Sequence, residues 1–297
     1  MYNPFKNNNE LLPNDDEHLV TLAIGGDKSA LDLLIRRHQP WVFNLCVRMV
    51  GNHEDAADLT QETLVKAITS LGNFRGDSKF RTWLYRIVKN SSINFKAKKN
   101  KVSFSSFDQL ANILEAAPNE ELPDQQPYGA DKNLLIKETK HRCMTGMLLC
   151  LDPEQRLTFI LGELFGVTDV VGAEILDITK ENFRQKLSRA RKQLYNFMQE
   201  KCGLENKANP CRCAKKTKAF IDAGVVDPKT LRFSSAHQLS IAKVAEARQE
   251  QMETLMEENY KILYRQHPFL DGPDFTTKIL EILSTVKSRN IFNLTDH

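Results

Sequence analysis

Nine lysines and arginines, at 75, 79, 81, 86, 89, 96, 98, 99 and 101, face a single acid, Asp77, between Arg75 and Lys101. Cations at that density, with aromatic rings among them, suit a surface that follows a phosphate backbone. Just upstream the charge reverses: a 100° step per residue sets Asp55, Asp58, Glu62 and Lys66 along one stripe, facing outward. A second basic arc holds Glu181, Arg184, Gln185, Ser188, Arg189 and Lys192. There Arg and Gln can each bond two sites on a base edge in the major groove, while Lys and Ser can reach phosphates. A third set is Cys202, Cys211 and Cys213, in KCGLENKANPCRCAKK. Three thiolates could bind zinc if a fourth ligand such as His237 came near. They could equally form a redox-responsive pair, since neighbouring Lys and Arg lower thiol pKa values, or play no special role. The C-x-C pair departs from C-x-x-C spacing and no His follows closely, so no metal is assigned and no cofactor is expected. The chain holds no Ser-His-Asp constellation, phosphate loop or HExxH stretch, and no enzymatic role is expected.

These residues need helices to position them, and the apolar periodicity supplies them. Ala56, Thr60, Leu64, Ala67 and Leu71 line the buried side of the acid-striped helix. After a polar loop, Gly72 to Ser78, a second helix gathers Phe80, Trp83, Leu84, Ile87 and Phe95. Its opposite face carries Arg81, Tyr85, Lys89, Ser92 and Lys96. Trp83 and Phe80 read as core, which leaves Tyr85 and Phe74 to touch an unstacked base. Upstream, two helices broken at Gly25-Gly26 and a third following Pro40 complete one helical domain over residues 17–100, with Cys46 as a small core residue. Residues 102–131 contain no Lys or Arg, six acids and prolines at 118, 123 and 127, so 101–131 reads as an acidic, flexible linker.

A second domain is expected over residues 132–200. Asp152-Pro153-Glu154-Gln155 reads as a cap with proline at the first helical position. That helix closes at Gly166, a short one opens at Asp169, and Asp177-Ile178 make a turn. Thr179 then caps a helix buried along Phe183, Leu187, Ala190 and Leu194. Short helix, tight turn and longer basic helix make a helix-turn-helix. Residues 201–297 form an extension with a helix over Ser235 to His267 and another over Phe275 to Val286, whose role is either packing or gating one of the binding faces. The fold class is all-α.

The string from Asp55 to Asn90, with DAADLTQET and FRGDSKFRTWLYRI, resembles region 2 of the sigma-70 family in its extracytoplasmic-function branch. LDPEQRLTFILGELFGVTDVVGAEILDITKENFRQKLSRARKQL resembles region 4 of the same family. The resemblance implies partners: core RNA polymerase at its clamp and flap, promoter DNA, and an anti-sigma factor. By position, Asp55, Asp58, Gln61 and Glu62 would contact polymerase. Phe74, Arg75, Gly76, Asp77, Ser78, Lys79, Arg81, Tyr85, Arg86, Lys89 and Asn90 would hold the −10 element. Thr179, Lys180, Glu181, Arg184, Gln185, Ser188, Arg189 and Lys192 would read the −35 element. Asp177 stands where the family often has glycine, and the segment before the turn lacks the usual paired acids.

Length and charge bound the alternatives. At 297 residues there is room for two or three compact units, and a formal net charge of +3 implies nucleic acid only through its distribution. No run reaches the roughly 18 apolar residues of a membrane span, and the first residues lack a signal-like apolar core, so a cytoplasmic protein is expected. Six cysteines are too few and too irregular for a disulfide framework. The competing reading is a helix-turn-helix regulator that works without polymerase. An anti-sigma decoy fits less well, because both basic faces keep their cations.

Overall fold

The computed structural model describes residues 16–95, 106–124, 127–231, 272–277 and 279. Among them the chain is all-α, with no strand beyond an isolated bridge between Cys202 and Cys211. Contacts divide it into two compact units. The first gathers residues 1–98, 165–183 and 271–297, and the second 99–164 and 184–270. No helix among the described residues is long and apolar enough to cross a membrane.

The first unit is built around one long helix. Asp27 caps α2 (Lys28–Val50), its carboxylate accepting from the Ser29 and Ala30 amides at 2.8 and 3.0 Å, and Gly51 ends it in the left-handed region. Every residue from Trp41 to Met49 is buried, which is the signature of a helix surrounded on all sides. Around it pack α1 (Asp16–Ile24), α3 (His53–Thr69) and α4 (Phe80–Asn94). The expected break at Pro40 is absent: α2 runs straight through it. An interior proline costs about 3 kcal/mol. Burial of Trp41, Val42, Phe43 and Leu45, at roughly 1.5–3 kcal/mol per large side chain, offsets that readily.

A buried ionic cluster joins α1 to α4. Asp16 receives Arg37 at 2.6 Å and Arg81 at 2.9 Å, and His38 Nε2 lies 3.3 Å away. The Trp41 indole donates to His38 Nδ1 at 2.9 Å, which places the imidazole proton on Nε2, facing Asp16. Burial alone would raise the Asp16 pKa; His38, Arg37 and Arg81 together hold it well below the carboxylate range. At the far end of the chain, residues 275–277 and 279 are helical. Phe275 packs on Phe43 with ring centroids 5.9 Å apart, and its amide donates to Gln39 at 3.3 Å. The helix expected over Ser235 to His267 lies outside the described residues, as does His237.

In the second unit α6 (Lys132–Leu149) carries Asp131 as its cap. Asp152 caps α7 (Pro153–Phe159), accepting from Glu154 and Gln155 at 3.0 Å each. Instead of continuing regularly, the chain opens into a π turn, Ile160–Leu164, where Gly162 lets Leu187 approach; a Cβ there would meet Leu187 at 2.6 Å. The stretch expected as a flexible linker is partly folded. Ser106 caps α5 (Phe107–Ala116), which buries Leu110, Ala111 and Leu114. Lys201 pairs with Glu115 at 2.6 Å, and the Lys216 ammonium donates to the Ala117 carbonyl. Acidity and prolines hide an apolar face only three residues wide.

Candidate polymerase and nucleic-acid interfaces

On α3 the acid stripe divides. Asp58 and Glu62 are exposed and Gln61 is half-buried, with Glu62 paired to Lys66 one turn on at 2.6 Å. Asp55 was expected beside them, but it is buried in the first turn of the helix. A carboxylate at that position is favoured by the helix dipole, so it reads as part of the start of α3 and not of the outer surface. Asp58, Gln61 and Glu62 are what remain on the stripe.

The loop between α3 and α4 begins with a single 3-10 turn, Leu71–Asn73. Phe74 then stands half-buried, edge-on to Phe80 at 5.7 Å and to Trp83 at 5.6 Å. Arg75, Gly76, Asp77 and Lys79 are exposed, Ser78 is half-buried, and Gly76 takes the positive φ of 78° that turns the chain. A ring held on an aromatic platform and ringed by cations is a surface onto which a flat base can stack.

On α4 the division between faces is less simple than the sequence suggests. Phe80 and Leu84 are buried as expected and Val88 is buried with them, while Trp83, Ile87 and Phe95 are half-buried. Tyr85, expected to point outward, is 1% exposed and stacks on Trp41 at 4.1 Å with an interplanar angle of 19°. Phe165 also lies edge-on to it at 6.4 Å, so Tyr85 is a core residue. Arg81 likewise points into the Asp16 cluster. What covers this side of α4 is α8 (Asp169–Leu176), a member of the same unit. Arg86 donates to the Glu174 carbonyl at 3.1 Å and pairs with its carboxylate at 3.5 Å, and Lys89 donates to the Leu176 carbonyl at 3.0 Å. Asn90 is exposed.

Thr168 caps α8, and Asp177 turns the chain with φ 57° and ψ 51°. That left-handed conformation is one Asp adopts more readily than most side chains. Thr179 Oγ1 accepts the Asn182 amide at 3.1 Å and starts α9 (Lys180–Lys201). Gly172 sets the closeness of the turn, since a Cβ there would lie 2.3 Å from the Phe183 ring. In the first unit Thr179, Lys180 and Glu181 are exposed. In the second, Arg184, Gln185, Ser188, Arg189 and Lys192 are exposed while Leu187, Ala190 and Leu194 are buried. Arg191 lies off that arc, paired with buried Glu163 and donating to it from Nε at 2.6 Å.

Two structurally important residues escape the sequence reading. Asp16 lies in a polar stretch with nothing to mark it as buried. Gly172 does carry a signal, since a glycine inside an apolar helical run often marks close approach.

Known proteins are similar to this chain. The sigma-70 region 2 family matches residues 34–102. Over 84 residues the chain is 46% identical to the RNA polymerase sigma-H factor of Pseudomonas aeruginosa, a match covering 28% of this chain and 44% of that protein. Over 184 residues it is 32% identical to the ECF RNA polymerase sigma-E factor of Salmonella typhimurium, covering 62% of this chain and 94% of the relative. The Escherichia coli sigma-E factor matches to the same extent. CnrH, solved in complex with the cytosolic domain of CnrY, is 22% identical with a TM-score of 0.45, covering 63% of this chain and 99% of that one. A relative matched over nearly its whole length, together with a region 2 match on the very helices that carry the acid stripe and the aromatic loop, makes this chain a member of the extracytoplasmic-function branch of the sigma-70 family, the RNA polymerase sigma factors.

Proposed function

We propose that the chain binds core RNA polymerase through Asp58, Gln61 and Glu62 and promoter DNA through the Phe74–Lys79 loop, Asn90 and the exposed arc of α9, leaving all nucleotidyl chemistry to the polymerase. The observation that carries this reading is the adjacency, on consecutive helices of one unit, of an exposed acid surface and a cation-ringed aromatic. Opposite charge on the partner would steer and orient docking more than it would add affinity. Unstacking a base costs a few kcal/mol, and stacking on an aromatic returns about 1–3 kcal/mol per base, so capture by Phe74 offsets much of that cost. On α9, Arg184 and Gln185 are the residues suited to base edges, and Lys192 and Ser188 suit phosphates. An anti-sigma factor would compete for these same surfaces.

The test uses purified full-length protein with core polymerase. The wild-type chain is expected to co-purify with the enzyme and support run-off transcription from its promoter, while Asp58→Lys combined with Glu62→Lys stays folded and does neither. A wild-type chain that ignores core polymerase yet binds duplex DNA would overturn the reading in favour of a polymerase-independent regulator.

A further inference from the structure

Lys186, Leu187 and Arg191 hold α9 against α7 and the π turn, all within the second unit. Lys186 pairs with Glu154 at 2.6 Å, Leu187 fills the space that Gly162 leaves, and Arg191 reaches Glu163. These contacts differ in kind. The Glu154 side chain is 59% exposed, and an exposed ion pair contributes little. The Leu187 contact sets how closely the elements approach, but apolar attraction has no direction. The Glu163 side chain is fully buried, and the Arg191 guanidinium meets its carboxylate through Nε, at 2.6 Å, and through Nη2. A charge-assisted contact made by a planar fork is directional, so this one fixes the rotation of α9 about its own axis.

That rotation decides where the exposed arc points. At about 100° per residue, Arg191 falls between Leu187 on the buried seam and Arg184 on the arc, so a shift at Arg191 is passed directly to Arg184. Side chains that bond base edges need to be held to within about 0.5 Å and 10–20° of the right geometry. Glu163 itself stands in the π turn, a rare irregularity that recurs at functional sites, and there the consecutive residues Gly162 and Glu163 both meet α9.

As a source of stability a buried ion pair is weak, because apolar side chains of similar size often hold as well or better; fixing register and orientation is the best-attested use of buried charge. We propose that Glu163 and Arg191 are positioning residues, setting the rotation of α9 at which Arg184 and Gln185 read base edges, and that Arg191 itself holds no phosphate. The inference rests on the reading of the α9 arc given above. It separates Arg191 from its neighbours Arg189 and Lys192, which the same basic run would otherwise group with it.

The experiment uses the full chain with core polymerase and two duplexes, one selected from a random pool by the wild-type complex and the same duplex with its −35 element scrambled. The ratio of the two affinities is measured over a range of salt. Glu163→Gln keeps the shape and removes the charge; it is expected to lower the ratio about 5–150-fold, the cost of losing one well-made base contact. Partial unfolding does not imitate this result, because a smaller active fraction lowers both affinities alike. Arg191→Lys, at a half-buried position, keeps the charge without the fork and should lower the ratio by a smaller factor. Glu163→Gln combined with Arg191→Gln should cost no more than Glu163→Gln alone, since the two act as a unit. A folded Glu163→Gln complex that discriminates as the wild type does overturns the inference, as do losses that add in the double variant. If Glu163→Gln does not fold, Arg191→Lys decides, and a ratio equal to that of the wild type overturns the inference. So does a salt slope reduced by about one in Arg191→Gln, which would put the guanidinium on a phosphate. A wild-type complex that selects no duplex overturns the proposed function and this inference with it, and is told apart because the wild type itself fails.

Discussion

Replacing Asp16 with Asn removes one charge from the cluster that fastens α1 to α2 and α4. Asp16 is 4% exposed, and the Arg37 side chain beside it is 5% exposed, so little water reaches either group to compensate. Breaking a buried pair by deleting one partner costs about 3–5 kcal/mol. The Asn amide oxygen still accepts one hydrogen bond, and Arg81, 22% exposed, recovers solvent, so the lower end applies: about 3 kcal/mol. That corresponds to roughly 6–12 °C in Tm for a chain of this size. Both tryptophans, Trp41 and Trp83, sit in the first unit, so urea unfolding followed by tryptophan emission reports on the relevant unit. The pH dependence gives a second, independent check. The Asp16 pKa is depressed in the folded chain, so the unfolded chain binds more protons and the carboxylate stabilises the fold fully above its ordinary value of 3.8. That advantage is lost as pH falls below that value. The gap between wild type and Asp16→Asn should therefore be full at neutral pH and narrow on acidification below about 4. A variant as stable as wild type, or a gap that stays constant down to pH 3, refutes the argument.

Two further perturbations test the turn after α8 and the loop between α3 and α4. Gly172→Ala gains about 1 kcal/mol of helix propensity but forces a methyl to within 2.3 Å of the Phe183 ring. Overpacking of that kind costs about 1–3 kcal/mol, so net destabilisation is expected, and a rise in Tm would contradict the close-packing account. Phe74→Ala should leave polymerase binding intact while reducing promoter opening, measured by permanganate reactivity of unpaired thymines. The loss should be equivalent to about 1–3 kcal/mol per stacked base, and undiminished opening would remove Phe74 from the reading.

The parts legible in the sequence are those where local signals agree. The caps at Asp27, Asp152 and Thr179, the glycines after α1 and α2, and the buried seam Phe183, Leu187, Ala190 and Leu194 all follow from short-range rules. The misreadings share a cause, which is packing between segments distant in sequence. Pro40 ends a helix only if nothing offsets its missing hydrogen bond, and the continuous burial of Trp41 to Met49 offsets it. Tyr85 belongs to a polar-looking face until Trp41 and Phe165 close over it. Asp55 shows the periodicity of an outer stripe but occupies a first turn. Asp16 acquires meaning only from partners that no spacing rule connects to it.

The pairing of α4 with α8 makes two different acceptors dependent on the same donors. A helix ends with carbonyls that its own backbone cannot satisfy, and here Glu174 and Leu176 draw on Arg86 and Lys89. An anion that drew those side chains away would uncap α8 at the point where the Asp177 turn begins. Any recruitment of those two side chains elsewhere would therefore be linked to the integrity of the last turn of α8, and by thermodynamic reciprocity whatever steadies that turn would hold Arg86 and Lys89 back by the same factor.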